Sequence, residues 1–171
     1  MKKNLQGFTL IELLIVIAIL GTLAVVVLLA LNPVQQLART RDAGRKSGVT
    51  QLGHAVEAYA TTHNGTPPAE ATWAQTLVDA GEIQVIPNKI GATASGSAAC
   101  TSNAVTETWC YDMNLTDFVV YARLESDSAV SLCAAGQVAF TAYSNGNGRG
   151  GTVCAAGGTT VLAPGVLVFV D

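Results

Sequence analysis

"GFTLIELLIVIAILGTLAVVVLLAL", residues 7–31, decides how the rest of the chain is read. Of the 24 residues from Phe8 to Leu31, only Thr9, Glu12, Gly21 and Thr22 are not apolar. At 1.5 Å per residue such a run predicts a helix roughly 36 Å long, enough to cross a bilayer. Its one charge is Glu12, and an acid held mid-bilayer costs on the order of 3 kcal/mol. An intramembrane acid is therefore a functional-site hypothesis, and something must offset its cost.

With 171 residues, half of them hydrophobic, the chain accommodates one ordinary domain plus an attached element. Its net charge of −3 hides a pattern. Lys2 and Lys3 precede the apolar run, and Arg39, Arg41, Arg45 and Lys46 form a basic collar after it. Beyond residue 50, three basic residues stand against ten acidic ones, which disfavours wrapping nucleic acid. The collar reads as a solvated helix face able to attract anions or acidic neighbours.

The four cysteines, Cys100, Cys110, Cys133 and Cys154, all lie downstream of the apolar run. An even count without CxxC or Cys/His spacing fits two disulfides in an oxidising compartment rather than zinc. Of three connectivities, Cys100 with Cys110 and Cys133 with Cys154 is favoured, because sequence neighbours flanking a loop or hairpin meet most easily. The basic residues on both sides of the apolar run leave orientation open by charge. The cysteines place the C-terminal body outside the cytoplasm.

After the run, Val49, Leu52, Val56 and Tyr59 are spaced as one buried stripe of an amphipathic helix. That helix is expected to stop at Asn64 and Gly65, before Pro67 and Pro68. Pro33 predicts a kink or melted turn at Asn32, and Gly21, Gly44, Gly48 and Gly53 each weaken the helix by about 1 kcal/mol relative to alanine. "PAEATWAQTLVDAG" reads as a short helix stopped by Gly81. "TETWCYDM", "FVVYARLES", "QVAFTAYS" and "TTVLAPGVLVFVD" read as strands of an antiparallel sheet. "SNGNGRGG", residues 144–151, is a hairpin turn flanked by Cys133 and Cys154. The expected fold class is α+β, a long N-terminal helix whose amphipathic half packs on a small antiparallel β-sheet head.

The segment from Met1 to about Leu31 resembles the class III signal segment of type IV pilins and type II secretion pseudopilins. The resemblance rests on a short basic leader followed by "GFTLIE", with the acid five residues after Gly7. Weaker similarity runs through "ARTRDAGRKSGVTQLGHAVEAYATTHNG" to about residue 65. Many family members carry a proline inside the apolar run, whereas here Pro33 stands at its far end.

The resemblance implies that a prepilin peptidase removes residues 1–7 by cutting between Gly7 and Phe8, then methylates the new Phe8 amine. Residues 8–64 would form the long helix, with 8–31 as the membrane and filament core, and 65–171 the disulfide-bonded head. The new amine lies four residues from Glu12, a spacing that shares one face of a helix; the helix dipole also favours an acid there. In the family this acid is thought to meet the amine of a neighbouring subunit.

The implied protein is a structural pilin, stored in the inner membrane and polymerised into an extracellular type IV pilus for adhesion, motility or DNA uptake. Its partners would be further copies in a helical filament, the peptidase, an inner-membrane assembly platform, and lipid before assembly, with nucleic acid only as cargo. The alternatives are a major pseudopilin of a periplasmic pseudopilus and a membrane-anchored extracytoplasmic binding protein.

No catalytic residue, cofactor or metal is expected. His54 and His63 do not share a helical face at ligand spacing, and the acids of "YDMNLTD" and "ESD" lack the calcium-loop pattern. Neither a Walker loop nor HExxH nor Gly-x-Ser-x-Gly occurs. "NGT" at 64 and "NLT" at 114 match the glycosylation pattern but read as incidental loop sequence. Trp73, Trp109, Tyr111, Phe118 and Tyr121 are expected in the core.

Overall fold

The computed structural model describes residues 7–88, 90, 109–156 and 162–170. Two compact units divide the chain, one ending at Leu37 and the other running from Ala38.

The first unit contains helix α1 (Leu10–Leu31) and the opening turn of α2 (Pro33–Thr62). No side chain of α1 is buried. The single residue between the helices, Asn32, has φ 39° and ψ 72°. A residue before proline is pushed out of the right-handed helical region, and asparagine tolerates the left-handed one better than most. Pro33 then sits at the first helical position, where its missing N–H costs nothing. The Asn32 carbonyl accepts from Gln35 N at 3.0 Å and Gln36 N at 3.3 Å, so the break expected at Asn32 is confined to one residue.

In the second unit α2 lays its stripe of Val49, Leu52 and Val56, all fully buried, against a four-stranded sheet. Three such side chains stabilise the fold by about 1.5–3 kcal/mol each. The helix ends through a left-handed pair, Asn64 and Gly65, with Gly65 N donating to the Ala60 carbonyl at 2.8 Å. A short 3₁₀ turn, Glu70–Thr72, leads into α3 (Trp73–Asp79), which Gly81 terminates at φ 80°.

The sheet is an antiparallel meander in the order β1 (Cys110–Asn114), β2 (Asp117–Arg123), β3 (Gln137–Ser144), β4 (Arg149–Ala156). The one-turn helix α4 (Asp127–Val130) lies between β2 and β3. Side-chain alternation sorts the sheet into two faces. Phe118, Val120, Ala122, Tyr111 and Tyr143 pack with the α2 stripe and α3, while Val119, Tyr121, Phe140, Ala142 and Val153 pack on the opposite side. All five aromatics assigned to the core are buried, but Tyr121 belongs to the face away from α2.

Gly48 and Gly53 do more than weaken α2. A Cβ on Gly48 would fall 2.3 Å from the Trp109 ring tip, and one on Gly53 would fall 2.3 Å from Cδ1 of Tyr143. The two aromatic rings occupy the space that any larger side chain would need.

The fourth strand differs from expectation. β4 is the small-residue arm directly after the turn, and the turn itself spans only Asn145–Gly148 between β3 and β4. Residues 162–170, the described part of "TTVLAPGVLVFVD", join no ladder. Pro164 lacks an amide donor and Gly165 has φ 118°. The segment lies on the outer face of the sheet as a strap, with Leu162, Leu167 and Phe169 against Tyr121, Phe140 and Val153. Its valines at 166, 168 and 170 face away.

Cys133 and Cys154 are joined with their Cα atoms 5.5 Å apart, which ties β4 to the segment preceding β3. Cys110 is buried and disulfide-bonded. Its expected partner, Cys100, lies outside the described residues.

Candidate functional site

The N-terminal segment is built around Thr9. Its extended backbone, φ −83° and ψ 152°, keeps Phe8 outside the helix, so α1 starts at Leu10. Glu12 N donates to Thr9 Oγ1 at 3.3 Å, while the Glu12 carboxylate accepts from Thr9 N at 2.9 Å and from Thr9 Oγ1 at 2.7 Å. This reciprocal arrangement is a capping box, in which two otherwise orphaned amides at the helix start are satisfied. Gly7 and Phe8 stand in front of it, with Phe8 81% exposed.

Two consequences concern the expected site. In the uncleaved chain Glu12 already has partners on Thr9, and they offset part of its cost in an apolar surround. The same-face geometry assumed for Phe8 and Glu12 presumes a helical Phe8, whereas the cap places the start of the helix two residues later. Thr9 is the residue that sequence reasoning passed over. Its signal, a Ser/Thr followed three residues later by Glu and then an apolar run, stood in "TLIE".

The basic collar is only partly a solvated face. Arg39 and Lys46 are exposed, but Arg45 is buried and Arg41 half-buried. Arg45 Nη1 lies 2.9 Å from Asp42 Oδ1 and 3.2 Å from Glu125 Oε1, and Arg41 pairs with the same Glu125 oxygen. Asp42 accepts from the amides of Glu125 at 3.0 Å and Ser126 at 2.8 Å. Half the collar thus fastens α2 to the turn after β2. Its attraction for anions falls to Arg39 and Lys46.

On the head, the Tyr121 hydroxyl donates to Asp112 Oδ2 at 2.6 Å. Burial raises Asp112 above the usual carboxylate range, against the lowering effect of that hydrogen bond. Burial also raises Tyr121, reinforced by the Asp112 carboxylate, and raises Tyr111, whose hydroxyl donates to the Pro68 carbonyl at 2.8 Å. Tyr143 is pushed up to about 12 by burial first and then by the Glu57 carboxylate. Its hydroxyl lies 3.4 Å from His54 Nδ1. His63 stacks on Tyr59 with centroids 3.8 Å apart. Among the described residues, no group of three or more His, Cys, Asp and Glu side chains is arranged to hold a metal ion.

Exposed along its whole length and apolar enough to cross a membrane, α1 with its capped start is the chain's most distinctive surface. Comparison with known proteins bears on this segment. Residues 2–28 match the family model described as the prokaryotic N-terminal methylation motif. This is the class III signal carried by type IV pilins and pseudopilins. It implies prepilin peptidase processing and, together with α1, membrane anchoring. No curated protein and no solved structure matches the chain.

Proposed function

We propose that this chain, with its N-terminal methylation motif, is the structural subunit of a type IV pilus. It is stored in the inner membrane and cut between Gly7 and Phe8, leaving residues 1–7 as the leader. It then assembles through α1 into an extracellular filament. The observation that carries this reading is α1 itself, 22 residues with no buried side chain, beginning three residues after Gly7. So much apolar surface has to be covered. Lipid covers it in the stored form, and the α1 helices of other copies cover it in the filament.

Apolar contact is indifferent to axial register; charge is not. Cleavage turns the neutral Phe8 amide into an amine beside the cap, and Glu12 is the acid available to it. In a bundle of apolar helices, a partner left buried and unpaired costs about 3–5 kcal/mol. Pairing the Phe8 amine of one copy with Glu12 of another therefore selects the axial step, and Glu12 exchanges Thr9 for that partner as it assembles.

Glu12→Gln tests the assignment. The variant should insert and be processed to a mature chain starting at methylated Phe8, yet give few or short filaments in the sheared fraction. Abundant regular filaments from Glu12→Gln would refute the pairing role. The same fractionation of the wild type identifies the system. Sheared surface fibres indicate a pilus and retention in the envelope a type II secretion pseudopilus, while processed monomer indicates a tethered binding protein.

A further inference from the structure

The turn between β3 and β4 carries two consecutive Asn-Gly pairs, Asn145-Gly146 and Asn147-Gly148. Each asparagine makes a two-point contact with a different part of the head. Asn145 Oδ1 accepts from Phe118 N at 2.8 Å and its Nδ2 donates to the Thr116 carbonyl at 2.9 Å, which holds the β1–β2 turn. Asn147 Nδ2 donates to the Leu167 carbonyl at 3.0 Å, and Leu167 N donates to Asn147 Oδ1 at 2.6 Å. The Asn147 side chain thus stands in for a neighbouring strand and latches the strap. The strap is also held by Ser144 Oγ to the Gly165 carbonyl, Val170 N to the Thr152 carbonyl at 2.9 Å, a hydrogen bond between Tyr121 and the Leu162 backbone, the Arg149 guanidinium 4.4 Å above the Phe169 ring, and the packing of Leu162, Leu167 and Phe169 on the sheet.

We propose that Asn147 is a modification site, where deamidation converts the latch to an acid and releases the strap from the outer face of the sheet. In the reaction the Gly148 backbone nitrogen attacks Asn147 Cγ. A five-membered succinimide forms and ammonia leaves; water then opens the ring to aspartate or isoaspartate. One water is consumed, one ammonia is released, and no oxidant or reductant takes part. Asparagine is among the chemically labile residues, and glycine on its C-terminal side leaves the attacking nitrogen unshielded.

The closed strap opposes the reaction. The Asn147 carboxamide is held at both ends, and Gly148 N donates to the Asn145 carbonyl at 3.0 Å. Conversion therefore proceeds from the locally opened form and then disfavours closure. An ionised acid has no N–H for the Leu167 carbonyl and sets a negative charge against it. Isoaspartate also lengthens the turn backbone by one carbon.

The test uses the full-length protein in detergent micelles. In Asn147→Asp, exchange of the Leu167 and Val170 amides should speed up at least about tenfold while the β2 amides keep their protection. Asn145→Asp, which touches the other hairpin, should leave strap exchange as in the wild type. Strap protection unchanged in Asn147→Asp, or equally lost in Asn145→Asp, overturns the latch. Wild-type protein aged in warm, mildly alkaline buffer is followed by peptide mass spectrometry, with the exposed Asn64-Gly65 pair as internal clock. Asn147 should convert more slowly than Asn64, and the converted molecules should show the fast-exchanging strap. If Asn147 is intact after about ten Asn64 half-lives, opening is too rare to matter and the assignment fails.

Discussion

Gly53→Ala is expected to destabilise the head, although alanine is the better helix former. The new Cβ would lie 2.3 Å from Cδ1, 2.4 Å from Cγ and 2.9 Å from Cβ of Tyr143, whereas carbon atoms in contact settle at about 3.5–4.0 Å. The separation must grow by roughly 1 Å. The overlap is at the root of the tyrosine side chain, so rotating the ring tip does not relieve it. The ring is also flanked by His54, with centroids 5.0 Å apart, and by Phe118, 6.4 Å away. The backbone of α2 or β3 has to yield instead, which loosens Val49, Leu52 and Val56. Overpacking of this kind costs about 1–3 kcal/mol, and the gain in helix propensity returns about 1 kcal/mol. A net loss of up to about 2 kcal/mol would lower the urea midpoint by up to roughly 1 M. Both tryptophans of the chain, Trp73 and Trp109, lie in this core, so intrinsic fluorescence reports its unfolding. In a Tyr143→Ala background the ring contacts are gone, and adding Gly53→Ala should be neutral or stabilising. A midpoint that rises equally in both backgrounds would sink the reasoning and reduce Gly53 to a weak point of the helix.

Asp42→Ala removes the acceptor of two backbone amides and the partner of buried Arg45, and should cost about 3 kcal/mol or more, while Arg39→Ala on the exposed part of the collar should change stability by less than about 0.5 kcal/mol; denaturant melts of the two variants check the contrast. Replacing Cys133 and Cys154 together by serine should lower stability by about 3 kcal/mol in the chain-entropy model, read as a lowered unfolding midpoint under oxidising conditions. Asp112 titrates above its unfolded value, so its contribution is fully present below the ordinary carboxylate pKa and is lost as pH rises through the raised one. Asp112→Asn should therefore flatten the decline in stability on leaving the acid range; an unchanged pH profile would show that Asp112 ionises in the folded head as freely as in the unfolded chain.

The parts legible in the sequence were those written as a period or a punctuation mark. The apolar run, the stripe at 49, 52, 56 and 59, the stop at Asn64-Gly65 and the strands around Tyr121 and Phe140 follow from local pattern alone. β4 was hidden because "RGGTVCAA" has little β propensity of its own; it is a strand because β3 offers a complete ladder and the Cys133–Cys154 bond holds it there. The inward turn of Arg41 and Arg45 depends on Glu125, eighty or more positions away, a pairing no local pattern encodes. Gly48 and Gly53 read as flaws because the aromatics filling their space come from another element. Thr9 was legible, since its spacing to Glu12 is a known helix-start signature, but the charge of Glu12 drew attention to more distant partners.

The interruption at Asn32 sets a waterline. A helix of 22 residues is about 33 Å long, close to the roughly 30 Å of hydrocarbon in a bilayer. Pro33 brings no amide to the carbonyl of Leu29 four residues earlier, and the left-handed turn at Asn32 ends α1. In the membrane-stored form proposed above, sinking the chain further would draw the end of α1 into oil, and lifting it would wet the leucines at 28, 29 and 31. In that form, the match of helix to hydrocarbon would set the depth of each copy at one asparagine.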